Sequence, residues 1–205
     1  MKIDFQSLKT ICISLPSAVE RREKFKDMAE RLKFSWSFYN GIQSTDYVYG
    51  CSKSHVNVLH EILDNDEPIF IAEDDIQETE FYSRIIEIPD DLKIDALYVG
   101  YSNWAAHPLR ARMSTLNCAS SVKKIGNFYR ISNITSTHAI IYFSKEYKKA
   151  CMLHITNHLN NMAGNRICDV AIARIQGIFN VFATPKHFFY QNCSKNKIWT
   201  NSSIE

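Results

Sequence analysis

"FIAEDDIQ", residues 70–77, begins as a buried strand and ends as a knot of charge. Phe70, Ile71 and Ala72 are apolar, and Glu73, Asp74 and Asp75 follow without a break. Three adjacent carboxylates at the rim of a core repel one another, and each raises the others' proton affinity unless a cation is present. Hard oxygen ligands from one or two carboxylates, completed by water and phosphate oxygens, suit Mn²⁺ or Mg²⁺. In an extended segment side chains two apart face the same way. Glu73 and Asp75 are therefore expected to point together at one ion, with Asp74 turned aside. The plainer alternative is an acidic turn leading into a helix whose N-terminal dipole favours acids.

Working outward, the pattern alternates strand and helix. Lys9 to Leu15 reads as a first strand, and Ser17-Ala-Val-Glu20 as a capping box opening a helix to about Leu32. Phe34, Trp36 and Phe38 alternate with Ser35, Ser37 and Tyr39, which is strand periodicity, and Asn40-Gly41 gives a turn. A second helix is expected over Ser54 to Leu63, and Pro68 introduces the strand of the opening motif. "DALYVG" (95–100) makes another strand, and 101–133 reads as loops with room for a hairpin. "HAIIYFS" (138–144) is a strand, Ser144 caps a helix toward Leu159, "DVAIARI" (169–175) is a short helix, and "NVFATP" and "HFFYQ" close the chain with strands. This order predicts one α/β domain over 1–205, with a mixed, mostly parallel, Rossmann-like sheet flanked by helices. In such sheets ligands gather beyond the carboxyl ends of the strands, where the acids of the opening motif fall.

Charge is unevenly spread. Residues 61–95 hold 13 of the 22 acids, whereas residues 96–205 hold 13 Lys and Arg against Glu146, Asp169 and Glu205. A cation site beside an anion-binding surface fits this asymmetry, although solvated surface charge is its commoner cause. The six cysteines contain no CxxC pair, so their spacing points to neither a zinc site nor a disulfide framework. No apolar run approaches the roughly 20 residues of a membrane span. The expected location is cytoplasmic or peripheral to a membrane, where a partner can hold it.

Other residues carry chemistry in context. "GCSKSH" (50–55) is placed just before the expected second helix, where Ser54 and His55 can donate to an anion. Arg21 and Arg22 can hold phosphate or stack on a base. Asp169 is one of three acids after residue 95 and stands at a helix start, where it can be an N-cap or a general base. His187 and Gln191 flank the last strand. His154 and His158 share a helix face but lack a metalloprotease glutamate, which favours packing or solvation. Trp104 can stack on a sugar ring or anchor a loop.

Taken in order, these segments resemble glycosyltransferase family 25, which includes bacterial lipooligosaccharide galactosyltransferases and the collagen galactosyltransferases. The resemblance is carried by "ICISLPSAVERREKF", "GCSKSHVNVLHEIL", "EPIFIAEDDI", "THAIIYFSKEYKKA", "CDVAIARI", and "TPKHFFYQ" with the later "SSI". Ser14-Leu15-Pro16 stands where that family usually has Asn-Leu-Asp or similar. The resemblance implies a GT-A type fold, a UDP-sugar donor carrying galactose or a related hexose, Mn²⁺ (or Mg²⁺) on the diphosphate, and transfer with inversion. It implies donor contacts at Ser14, Leu15, Arg21, Arg22, Ser54, His55 and Asp74, and metal contacts at Asp75 and Glu73 with His187 and Gln191 completing the site. It implies Asp169 as the base. The acceptor expected is an anionic glycan or glycoconjugate. Modified DNA as acceptor, a metal-dependent phosphodiesterase and a non-catalytic binding module are the competing readings.

Overall fold

The computed structural model describes residues 1–101, 121–160 and 167–191. Its centre is an eight-stranded sheet. The strands in it are β2 (Lys9–Ser14), β3 (Ser35–Asn40), β4 (Ile69–Glu73), β7 (Ala96–Gly100), β8 (Ser121–Ile125), β9 (Phe128–Ser132), β10 (Ala139–Tyr142) and β11 (Val181–Ala183), in the order β3-β2-β4-β10-β7-β11-β9-β8. Pairings β2–β3, β2–β4 and β7–β11 are parallel, and β10 and β9 run against the other six strands. Two short ribbons lie outside the sheet: β1 (Lys2–Asp4) with β6 (Ile85–Glu87), and β5 (Ile76–Glu78) with β12 (Phe189–Gln191).

The central strands β2, β4, β10, β7 and β11 are apolar on both faces because helices cover both. Ile69 and Ile71 of β4, Ile11 and Ile13 of β2, and Tyr98 of β7 belong to one core; Phe70, Ala72, Cys12, Leu97 and Val99 belong to the other. The first core packs under α2 (Tyr47–Glu61), α3 (Lys145–Asn160) and α4 (Cys168–Ala173), through Leu59, Tyr147, Cys151 and Ile172. The second packs under α1 (Val19–Leu32), through Phe25, Met28 and Ala29. Phe5, Phe34, Phe70, Tyr82 and Phe189 form an aromatic cluster in that second core.

Several boundaries differ from the sequence expectation. α1 is capped at Ala18 with no side-chain bond, so the Ser17–Glu20 capping box does not form, and Glu20 pairs with Lys24 instead. α2 begins at Tyr47, nearly two turns before Ser54, because Asp46 accepts from the Val48 and Tyr49 amides. "GCSKSH" therefore lies inside the helix, and its side chains, not free amides, face the site. α4 is preceded by Ile167, so Asp169 is in its first turn and is no N-cap. The weak 101–133 region yields the β8–β9 hairpin, and Gly126 at φ 58° supplies the left-handed residue its tight turn needs. Trp104 lies outside the described residues. Among the described residues no helix is long and apolar enough to cross a membrane.

Candidate active site

The chain leaves β2 for β3 on one side and returns as β4 on the other, so the loops after β2 and β4 part at a topological switch point. Such points open a crevice beyond the strand ends. Here the crevice is a cavity of about 300 Å³ lined by Ser14, Leu15, Arg21, Ser54, His55, Glu73 and Asp74, with Cys51 and the 41–44 loop.

Sheet pleat sorts the acids. Glu73 continues the face of Ile69 and Ile71 and points toward α2, whereas Asp74 follows Phe70 and Ala72 toward α1. Glu73 Oε1 is 3.3 Å from His55 Nε2 and accepts from Thr137 Oγ1 at 2.7 Å. Its Oε2 accepts a long 3.4 Å bond from Gln191 Nε2, since the β5–β12 ribbon sets Gln191 opposite Ile76. Burial opposes ionisation of Glu73, but the bond and charge of His55 override it and draw the carboxyl down to about 2. Burial likewise disfavours the His55 imidazolium, yet neighbouring Cys168 and Glu73 raise it to about 9.

Asp74 is buried and held at both oxygens. Oδ2 accepts from Ser14 Oγ at 2.6 Å, and Arg21 Nη1 lies 3.2 Å from Oδ1. Its carboxyl is nonetheless raised, burial outweighing Ser14 and Arg21. Arg21 is half exposed, gives Asp74 one nitrogen and lines the cavity. Asp75 is half-buried in the turn after β4 and is not among the cavity's lining residues. The structure does not bring Arg22 to the cavity: its guanidinium lies 4.2 Å from the Phe38 ring centroid and bonds Asn40 at 3.1 Å.

Ser54 shapes the cavity from within α2. Its hydroxyl donates to the Gly50 carbonyl and accepts from the Ile42 amide at 2.8 Å, pinning the 41–44 loop. A Cβ on Gly50 would stand 2.5 Å from the Ile42 carbonyl. Gly to Ala inside a helix ordinarily stabilises by about 1 kcal/mol. Gly50→Ala is expected to do the reverse here, losing about 1–3 kcal/mol in denaturant unfolding as the loop is forced away.

Around Glu73 stand groups that the sequence motifs do not show. Thr137 and His138 precede β10; Ser136 Oγ lies 2.7 Å from His138 Nδ1, and burial presses the His138 imidazole down to about 4. A neutral His138 beside an ionised Glu73 is a polar wall and not a second cation. His187 is buried edge-on to the Tyr101 ring, 5.3 Å between centroids. Asp169, at the head of α4, is within electrostatic reach of Glu73 and His55, and burial pushes its carboxyl up to about 6. Its Oδ1 is buried and has no hydrogen-bond partner among the described residues. His158 bonds the His154 carbonyl and Arg174, which accounts for that pair without a metal.

A helix-flanked mixed sheet whose acids fall in the crevice beside its first strand is a GT-A-like α/β fold. The structure is similar to a glycosyltransferase involved in the glycosylation of the major capsid of PBCV-1, with a TM-score of 0.54 and 10% identity over 91% of this chain and 92% of that one. That likeness shows the fold. A looser likeness, TM-score 0.46 and 17% identity over 88% and 73% of the two chains, is to a nucleoside-diphosphate-sugar pyrophosphorylase from Vibrio cholerae RC9. No protein-family model matches the sequence, and no curated protein matches it either.

Proposed function

We propose that this protein is a metal-dependent glycosyltransferase of the family 25 kind, moving a hexose from a UDP-sugar to an anionic glycan acceptor with inversion. The observation that carries the reading is the cavity itself: one arginine, three serines and two carboxylates converge at the switch point of a GT-A-like sheet. Arg21 and Ser14 suit the diphosphate. Leu15 and the 41–44 loop supply an apolar wall, and Ser54 and His55 close the α2 side.

The residues fit a hard divalent ion. Asp74 is engaged by Ser14 and Arg21; Asp75 and Glu73 would hold Mn²⁺ or Mg²⁺, with Gln191 and His187 completing the site. When bound, the ion neutralises charge on the departing diphosphate. Asp169 serves as the base that takes the acceptor hydroxyl's proton. A carboxyl titrating near 6 is ionised at pH 7 yet still basic, which suits that task.

The test is a panel of nucleotide sugars with and without Mn²⁺, read as thermal stabilisation. A donor at 100 times its Kd adds about 2.7 kcal/mol, or roughly 5–10 °C for a chain of this size. The stabilisation should need the metal, and Asp75→Ala should remove the metal-dependent part. A well-folded chain that no nucleotide sugar stabilises with Mn²⁺ or Mg²⁺ overturns the proposal.

A further inference from the structure

We propose that Cys51, His55 and Cys168 form a second cation site, taking zinc or a similarly thiophilic divalent ion, on the wall of the cavity. It goes beyond the donor reading, and its ligand chemistry is different. Thiolate and imidazole select zinc, whereas the carboxylates of 73–75 select manganese or magnesium.

Cys51 and His55 are one turn apart on α2 and share a face. Cys168 opens α4, 117 residues further on, which is why spacing along the chain shows no motif. Both sulfurs and one His55 ring nitrogen all lie within 4.8 Å of one another. The sulfurs are 4.0 Å apart. Around a tetrahedral zinc with bonds of about 2.3 Å, two sulfurs sit roughly 3.8 Å apart, so little movement separates these thiols from a metal-binding geometry.

The surroundings also match. His55 is 1% exposed; its Nε2 meets Glu73, and its Nδ1 has no hydrogen-bond partner among the described residues. Metal-binding histidines commonly give one ring nitrogen to the ion and the other to a carboxylate. Thr137 Oγ1, 3.9 Å from Cys168 Sγ and 2.7 Å from Glu73 Oε1, lies on the buried side. Cys51 is exposed and lines the cavity together with His55, so the fourth position falls to water or a substrate atom. A bound ion would tie α2 to α4 directly beside Asp169. Each thiol that binds gives its proton to solvent, and so does the His55 imidazolium, whose Nδ1 must be deprotonated to bind while Nε2–H stays on Glu73.

The experiment is titration of the reduced full-length chain with Co²⁺ and then Zn²⁺. One equivalent of cobalt should bind with sulfur-to-metal charge-transfer absorption that zinc displaces. Cys51→Ser and Cys168→Ser should each weaken cobalt binding by about 100-fold or more, while Asp75→Ala leaves it unchanged, separating this site from the carboxylate one. Zinc should also protect Cys51 of the unmodified chain from alkylation, a readout that needs no variant to fold. The proposal is overturned by cobalt binding without sulfur absorption, by binding indifferent to both serine variants, or by alkylation of Cys51 unaffected by zinc. Air oxidation to a Cys51–Cys168 disulfide in a chain whose reduced form takes up no metal overturns it equally.

Discussion

Asp169→Asn is expected to cut sugar transfer by about 10²–10⁴-fold and, at the same time, to raise thermal stability. The two effects have one cause. The Asp169 carboxyl is pushed from 3.8 up to about 6, chiefly by burial. A raised carboxyl in the folded state means that ionisation works against folding. Stability is therefore undiminished below the unfolded value near 3.8, falls as pH rises through about 6, and stays reduced above it. Two units correspond to about 3 kcal/mol at most. Asparagine avoids that cost but must place an amide in the same buried spot, so a gain of about 1–2 kcal/mol is expected at pH 7–8. In Tm this is roughly 2–8 °C. The gain should fade below about pH 4, where the wild-type carboxyl is protonated folded or unfolded. The melts belong in chelator, so that no metal at neighbouring Cys168 contributes. Donor binding should persist. Transfer near the wild-type level would remove Asp169 from the chemistry. Loss of transfer together with lower stability would make it a structural residue.

Much of this architecture was legible because the central strands are continuous apolar runs, the edge strand Ser35–Asn40 alternates, and the helices are amphipathic. Lys9–Ser14, Ser35–Asn40, Ile69–Glu73 and Ala139–Tyr142 are strands where period and β-branched residues place them. Three-residue ribbons were not legible. Lys2–Asp4 and Ile76–Glu78 are too short to show a period, and their pairing with Ile85–Glu87 and Phe189–Gln191 comes from tertiary contact. α2 starts earlier than its apolar pattern indicates because the cap, Asp46, precedes Tyr47 and Tyr49, which carry no apolar signal. The triplet of acids shows the limit most clearly. Spacing two apart pairs Glu73 with Asp75 only if the strand continues, but β4 ends at Glu73 and a turn follows. The pleat then divides Glu73 from Asp74, and the cavity between α1 and α2 receives both. Thr137, His138 and Cys168 reach the site through β10 and α4, from more than 60 residues away along the chain. Two signals did exist for them, the "THA" entry to β10 and the Cys directly before Asp169, but neither means anything until the sheet order is known.

Glu73→Ala is expected to be the most destabilising single change in the site, costing about 3–5 kcal/mol, because it leaves a buried imidazolium without its counter-charge. Thr137 and Gln191 lose an acceptor as well. Glu73→Gln keeps the shape and one carbonyl acceptor, so it should cost less and isolate the charge. The pH dependence follows from both partners. The Glu73 carboxyl is lowered from 4.5 to about 2, so its contribution is present above 4.5 and lost as pH falls toward 2. The His55 imidazole is raised from 6.5 to about 9, so its contribution is complete below 6.5 and lost as pH rises through about 9. Wild type and Glu73→Gln should therefore differ most between about pH 4.5 and 6.5 and converge toward either extreme. Chemical denaturation across that range, in chelator, reads the difference directly. A gap that does not change with pH would mean Glu73 acts by packing alone. An unstable Glu73→Ala beside a stable, Mn²⁺-responsive Glu73→Gln would mean that this carboxylate holds His55 in place and that Asp75 alone carries the metal.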